Sequence, residues 1–302
     1  MSICSHTLSL ALGGLLFCAS SAHALSGGAG SVELAADSPW GGVGSLSVNG
    51  QLFTATLIAP GYVLTAAHVV GGAAPSAVRF LAQGGSSFAS VASDIVVHPG
   101  YTGSGSGNLP GDPSRHADLA IIKLAEAAPI TLPTYRIHGG PLLGQTLSFV
   151  SYARSTTLAT TGANRVDVVF NDTTGVAQTY LFDFDGPDLS SNRIGAHVLA
   201  NGTLGSHVEA GLISGDSGSA AFVQREGQWQ LAGINSFAVT FAAGPSTPGA
   251  HGTGGGGIVL ATHQAWIQSV ISPIPEPPSA WLMLGGLLAM SGWRSRQLKT
   301  GG

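Results

Sequence analysis

Cysteine is nearly absent. The chain has 302 residues and two cysteines, Cys4 and Cys18, both within the first 24 positions. The remaining chain therefore contains no disulfide and no thiolate metal site. Charge is also scarce, at 9% of residues. Setting aside Arg294, Arg296, Lys299 and Glu276 near the C-terminus leaves 8 basic and 14 acidic residues, a net of −6. The basic residues stand singly, which argues against nucleic acid or an anionic membrane surface as partner. No Lys or Arg precedes Arg79. His98, His138, His197, His207, His251 and His263 have no ligand-like spacing, and Asp183, Asp185 and Asp188 in DFDGPD lack the ligand order of an EF-hand loop. DFDGPD reads as a strand end and a turn, and neither metal nor cofactor is expected. Glycine, by contrast, is abundant, with 45 residues. That suits one large turn-rich domain more than a repeat array.

Both ends read as processing segments. Residues 8–18, LSLALGGLLFC, form an apolar run of leader length. Ala22-His23-Ala24 follows as a small-x-small cleavage pattern, which would make Leu25 the first mature residue. The usual positive charge before the run is missing, and Phe17 is too large for a lipoprotein signal at Cys18. At the other end, Pro275-Glu276-Pro277 precedes a short apolar run, Ala280–Trp293, and then Arg294, Arg296 and Lys299. This order resembles the PEP-CTERM sorting signal of Gram-negative bacteria; a plain C-terminal anchor or a frayed tail is the alternative. The resemblance implies transient inner-membrane anchoring, processing by signal peptidase and an exosortase, and a final place at the cell surface or extracellular matrix. Membrane contact would come only through this segment. The expected divisions are 1–24, 25–272 and 273–302.

Between the ends, short apolar stretches alternate with Gly, Pro and Asn turns, the pattern of a sandwich or barrel. Leu25–Asp37 reads as a loop. Pro39–Leu57 reads as a hairpin about Asn49-Gly50. Further strands are expected at Val78–Leu81, Ile95–His98, Leu119–Leu124, Leu147–Ala153, Arg165–Phe170, Thr179–Phe184, His197–Ala200, Trp229–Ile234 and Gly257–Leu260. Thr262–Ile271 has helical spacing.

Three motifs carry chemistry. Ser217 lies in Gly215-Asp216-Ser217-Gly218-Ser219, where glycines permit a tight turn and close approach of substrate. His68 ends Thr65-Ala66-Ala67-His68, and Asp118 opens an apolar run after His116-Ala117. A serine hydroxyl needs a base, and imidazole titrates near neutral pH. A buried carboxylate can orient that imidazole. Singly, each residue has a structural explanation; together, in this order and separated by 50 and 99 residues, they form a set.

That set resembles the chymotrypsin/trypsin family of serine proteases over roughly residues 37–271. The resemblance implies an all-β fold of two antiparallel six-stranded β-barrels, about residues 37–130 and 145–260, with a short C-terminal helix over 262–271. It implies a secreted serine endopeptidase acting on peptide or protein substrates through His68, Asp118 and Ser217 and an acyl-enzyme. The backbone N–H groups of Gly215 and Ser217 would form the oxyanion hole. Phe53 and Val69 stand where animal members carry a disulfide. Ser219 departs from the usual second glycine. Gly211 stands where trypsin-like members carry an aspartate, so an uncharged pocket walled by Ser236, Phe237, Ala238 and Gly257 would take apolar side chains. Ser236 also stands where a hydroxyl approaches the aspartate. Asp216 would pair either with a mature N-terminus at Leu25 or with an internal group. The rival reading is an inactive surface or matrix-binding protein on a protease fold.

Overall fold

The computed structural model describes residues 25–28, 30–34, 37–71, 77–81, 87–103, 110–187, 189–194, 202–205 and 208–272. The expected leader (1–24), the expected C-terminal sorting segment (273–302), Asp188, His207 and the strand expected at His197–Ala200 lie outside these residues.

The N-terminal half is a seven-stranded antiparallel sheet. Its strands are β3 (Val43–Val48), β4 (Gln51–Ala59), β5 (Tyr62–Thr65), β6 (Ala77–Leu81), β7 (Ser87–Ser90), β8 (Ala92–Val97) and β9 (Ala120–Leu124). The expected hairpin is present: β3 and β4 pair in register about Asn49 and Gly50, both with positive φ (52° and 76°). Two such residues in succession give the turn whose twist matches paired strands. The order across the sheet is β7-β6-β3-β4-β5-β9-β8. Its two ends, β7 and β8, are separated in sequence by Val91 alone. The sheet must therefore curl until its edges meet, and β7 and β8 act as one bent strand of a six-stranded barrel.

The C-terminal half repeats this device. It comprises β10 (Thr146–Ser151), β11 (Leu158–Arg165), β12 (Val168–Asn171), β13 (Ala177–Asp183), β15 (Ala220–Arg225), β16 (Gln228–Thr240) and β17 (Thr253–Val259), with β2 (Gly30–Glu33) added outside β11. The strands follow the order β12-β13-β17-β16-β15-β10-β11-β2. Only Val166 and Asp167 separate β11 from β12, so these too bend as one and bring the sheet round on itself. The two expected six-stranded barrels are thus present, with β2 as an extra edge.

Leu25–Asp37, expected as a loop, instead supplies two strands. β1 (Ser26–Gly27) pairs with β14 (Ala210–Gly211), and β2 pairs with β11. Their partners lie more than 120 residues away, beyond any local pattern.

A short helix, α1 (Ala67–Val70), follows β5, and α2 (Leu260–Ile271) closes the described chain. The largest apolar cluster joins the barrels. It runs from Val43, Leu64 and Ile121 in the first to Phe222, Ile234 and Ile258 in the second, and reaches Leu260 and Ile267 of α2. A second cluster around Leu147, Phe149, Tyr180 and Phe182 fills the second barrel and includes Leu25, which is fully buried.

Candidate active site

His68, Asp118 and Ser217 come from three places and meet between the barrels. β5 delivers His68 into the first turn of α1. Asp118 sits in the turn before β9. Ser217 lies in the turn that enters β15. The backbone N–H of His68 donates to Asp118 Oδ1 over 2.8 Å, which holds the two segments together. His68 Nδ1 lies 2.6 Å from Asp118 Oδ2, and Nε2 lies 2.7 Å from Ser217 Oγ. A carboxylate only accepts, so Nδ1 carries the proton and Nε2 faces the hydroxyl as its acceptor.

Asp118 is 1% exposed. Burial alone would raise its carboxyl. The hydrogen bonds and charge of His68, with the hydroxyl of Ser236, outweigh burial and hold it below the ordinary carboxylate range. Ser236 Oγ donates to Asp118 Oδ2. A bulge in β16 accounts for this contact. Asn235 pairs with Gly257 and Phe237 with Gly256, leaving Ser236 as the extra residue. Bulges re-aim side chains beside functional sites, and here the re-aimed side chain is the one that reaches Asp118.

The Ser217 turn is built on glycine. Gly215 has φ +101°, which a side chain would strain, and a Cβ there would lie 3.1 Å from that of Ala153. Among the described residues, the N–H groups of Gly215 and Ser217 have no backbone acceptor. Neither is taken up by the main chain around it.

Asp216 is buried, and both of its carboxylate oxygens are engaged. Oδ1 accepts from the Ser151 hydroxyl at 2.7 Å and from the Leu25 N–H at 3.2 Å; Oδ2 accepts from the Ile213 N–H at 2.8 Å. Burial pushes its carboxyl up to about 7, against the opposing pull of the Ile213 N–H, the Ser151 hydroxyl and the charge of Arg154.

A cavity of about 180 Å³ opens beside Ser217. Ser236, Phe237 and Ala238 form one wall, and Leu212, Ile213, Ser214, Asp216 and Pro248 complete the lining. Gly211 and Gly257 do not line it. A Cβ on Gly211 would meet Phe184 at 2.7 Å, and one on Gly257 would meet Ile234 O at 2.1 Å. The bulge shifts the register by one, so Gly256 and Gly255 pair with Phe237 and Ala238. Leu212 and Ile213 were legible in principle as the residues running into the Ser217 motif. Pro248 sits in a loop with no sequence signal.

A family model described as Trypsin matches residues 30–252. The chain belongs to the trypsin family. It is a serine-type endopeptidase, with the mostly β, two-barrel trypsin fold. Among solved structures, 1220 chains match. A Glu endopeptidase in complex with MPD is 18% identical, with 81% of this chain and 96% of that one covered, at a TM-score of 0.52. Neuropsin, a serine protease expressed in the limbic system of mouse brain, is 17% identical, with 80% and 99% covered, at 0.53. No curated protein matches. Among the described residues, no helix is long and apolar enough to cross a membrane, and no group of three His, Cys, Asp or Glu side chains is placed to hold a metal.

Proposed function

We propose that the chain is an exported trypsin-family endopeptidase in which Ser217 is the nucleophile, His68 the general base and acid, and Asp118 the group that orients His68. The supporting observation is the continuous hydrogen-bonded line from Asp118 through His68 to Ser217. Ser217 Oγ attacks the peptide carbonyl carbon while its proton passes to His68 Nε2. The resulting oxyanion takes hydrogen bonds from the N–H groups of Gly215 and Ser217. The intermediate collapses as His68 returns the proton to the leaving amine. Water, deprotonated by the same nitrogen, then hydrolyses the ester on Ser217. Apart from Asp216, which is 1% exposed and whose carboxylate is taken up by Ser151, Leu25 and Ile213, the cavity lining carries no charge, which favours cleavage after an apolar residue of small to moderate size.

Maturation would complete the site. Leu25 is fully buried, and its nitrogen already lies 3.2 Å from Asp216. Signal peptidase cutting after Ala24 would turn that amide into an ammonium and supply a counter-charge to a carboxyl that burial otherwise disfavours. The C-terminal segment would anchor the protein until an exosortase removes it.

The test uses the full chain expressed with its own leader and treated with a fluorophosphonate probe. Mass spectrometry is expected to locate the label on Ser217, to lose it in His68→Ala, and to find Leu25 as the mature N-terminus. A folded protein that starts at Leu25 and takes no label would overturn the assignment of Ser217.

A further inference from the structure

The turn carrying Ser217 is held from behind by three side chains that the catalytic reading leaves unused. Ser219, Asn235 and Tyr180 are each 0% exposed. Tyr180 donates its hydroxyl to Asn235 Oδ1 over 2.7 Å, and Asn235 Nδ2 donates to Ser219 Oγ over 2.9 Å. The backbone repeats the connection. Gly218 N–H donates to Asn235 O, and Asn235 N–H donates to Ser219 O, both over 2.9 Å. Ser219 N–H closes the turn on Asp216 O, also over 2.9 Å.

Two features make this more than a satisfied core. Asn235 is the last residue of β16 before the bulge at Ser236, where the ladder between β16 and β17 shifts register. Ladder bonds are disrupted at a bulge. Beside that break, side-chain and backbone bonds from Asn235 together hold β16 to the Ser217 turn. Asn235 also stands between the two ends of the reactive line: it binds Gly218 and Ser219 on one side, and its chain neighbour Ser236 donates to Asp118 on the other. The Tyr180 hydroxyl occupies space left by glycine, since a Cβ on Gly257 would lie 2.6 Å from it and one on Gly233 2.9 Å. Burial holds the phenol well above its ordinary range, so it remains a donor.

We propose that Asn235, braced by Tyr180 and bonded to Ser219, is a positioning residue that fixes the Ser217 turn against bulged β16. It keeps Ser217 Oγ and the Gly215 and Ser217 amides in one geometry. This explains the departure at Ser219, where the resemblance leads one to expect glycine: the hydroxyl is the acceptor that Asn235 requires. The inference rests on the reading of Ser217 as nucleophile.

The test compares the wild-type chain with Tyr180→Phe, Ser219→Gly and Asn235→Leu. Active sites are counted with a fluorophosphonate, kcat and KM are measured on a small peptide amide with an apolar residue before the cut, and amide exchange is followed over residues 211–221. Misplacing a nucleophile by a fraction of an ångström costs on the order of 10-fold in rate. Each variant is expected to lose about that much in kcat per titrated site, with KM within about twofold and faster exchange confined to the turn. A purely structural role lowers thermal stability but leaves kcat per titrated site unchanged, and that result in Tyr180→Phe and Ser219→Gly overturns the proposal. Those two variants carry the test if Asn235→Leu does not fold. A wild-type protein that cannot be titrated removes the Ser217 reading instead. The exchange measurement then decides alone, and unchanged exchange in the turn overturns the positioning role.

Discussion

At the scale of single residues, the site depends on backbone that only certain side chains permit. Gly215 is the clearest case. Its φ of +101° lies outside the range a side chain adopts without strain, and a Cβ there would press on Ala153. Gly215→Ala should rotate the peptide whose N–H we propose as an oxyanion donor, while leaving Ser217, His68 and Asp118 hydrogen-bonded. Losing one oxyanion donor costs on the order of 10²-fold in rate. Fluorophosphonate labelling of Gly215→Ala should therefore slow by about that factor at a temperature where the protein is folded; a rate within about threefold of wild type would show that this amide plays no part. The sequence motif already pointed to Gly215, because glycines flanking a serine are informative about backbone. It said little about Gly257, which was expected on the pocket wall. The one-residue bulge at Ser236 moves Gly255 and Gly256 opposite the wall, and a bulge leaves no trace in composition or period.

At the scale of the element, α2 shows the same division. Its existence follows from the spacing of Trp266, Ile267, Val270 and Ile271, and the helix begins at Leu260, two residues earlier than expected. What α2 grips was not legible, because its partners lie far away in the chain. His263 Nε2 lies 2.9 Å from the carbonyl oxygen of His116, two residues before Asp118, and Nδ1 lies 3.2 Å from His98 Nε2. A carbonyl accepts, so Nε2 of His263 carries the proton and Nδ1 receives the one from His98. His98 Nδ1 in turn accepts from the Gly100 N–H over 3.0 Å. Burial, and then the charges of His98 and His116, push His263 down to about 4, against the pull of the His116 carbonyl. The unfolded chain binds a proton here below about 6.5 that the folded chain refuses until about 4. Stability from this residue is therefore fully present above the unfolded value and is lost as pH falls through that window, by roughly 3 kcal/mol over its whole span. Thermal unfolding of wild type and His263→Gln between pH 7.5 and 4.5 checks this. Wild type should lose stability relative to the variant on the acid side, and parallel curves would contradict it.

At the scale of the whole molecule, the second barrel buries an acidic cluster where the N-terminal segment docks. Asp167, Asp183, Asp185 and Glu209 are all 3% exposed or less. Asp183 Oδ2 accepts from the N–H groups of Arg193 and Ile194; Glu209 accepts from those of Asp185 and Leu204. Glu209 also offers its carbonyl to Gly28, one residue beyond β1, and leads directly into β14. DFDGPD gave only a strand end and a turn, since Asp167 and Glu209, which complete the cluster, are brought in by β12 and β14 from elsewhere in the chain. Burial, followed by the charges of Asp183 and Glu209, pushes Asp185 up to about 7. Asp167 and Glu209 are raised too, burial again being the main cause. The sign is opposite to that of His263. The folded chain keeps protons that the unfolded chain releases above about 4, so this contribution is full at acid pH and declines as pH rises toward 7. Above about 6.5, where His263 no longer contributes a slope, these carboxyls and that of Asp216, also raised to about 7, set the slope, and thermal stability should fall between pH 6.5 and 8. Asp185→Asn removes one of them while keeping the shape. It should raise the midpoint by at least about 3 °C at pH 8, the scale of roughly 1 kcal/mol for a domain this size, and by much less at pH 5. Exchange of the Ser26–Gly28 amides should slow at pH 8 in the same variant, because β1 is held by the strand that Glu209 begins. A variant with the same midpoint as wild type at both pH values would mean that these carboxyls are not what makes the second barrel sensitive to pH.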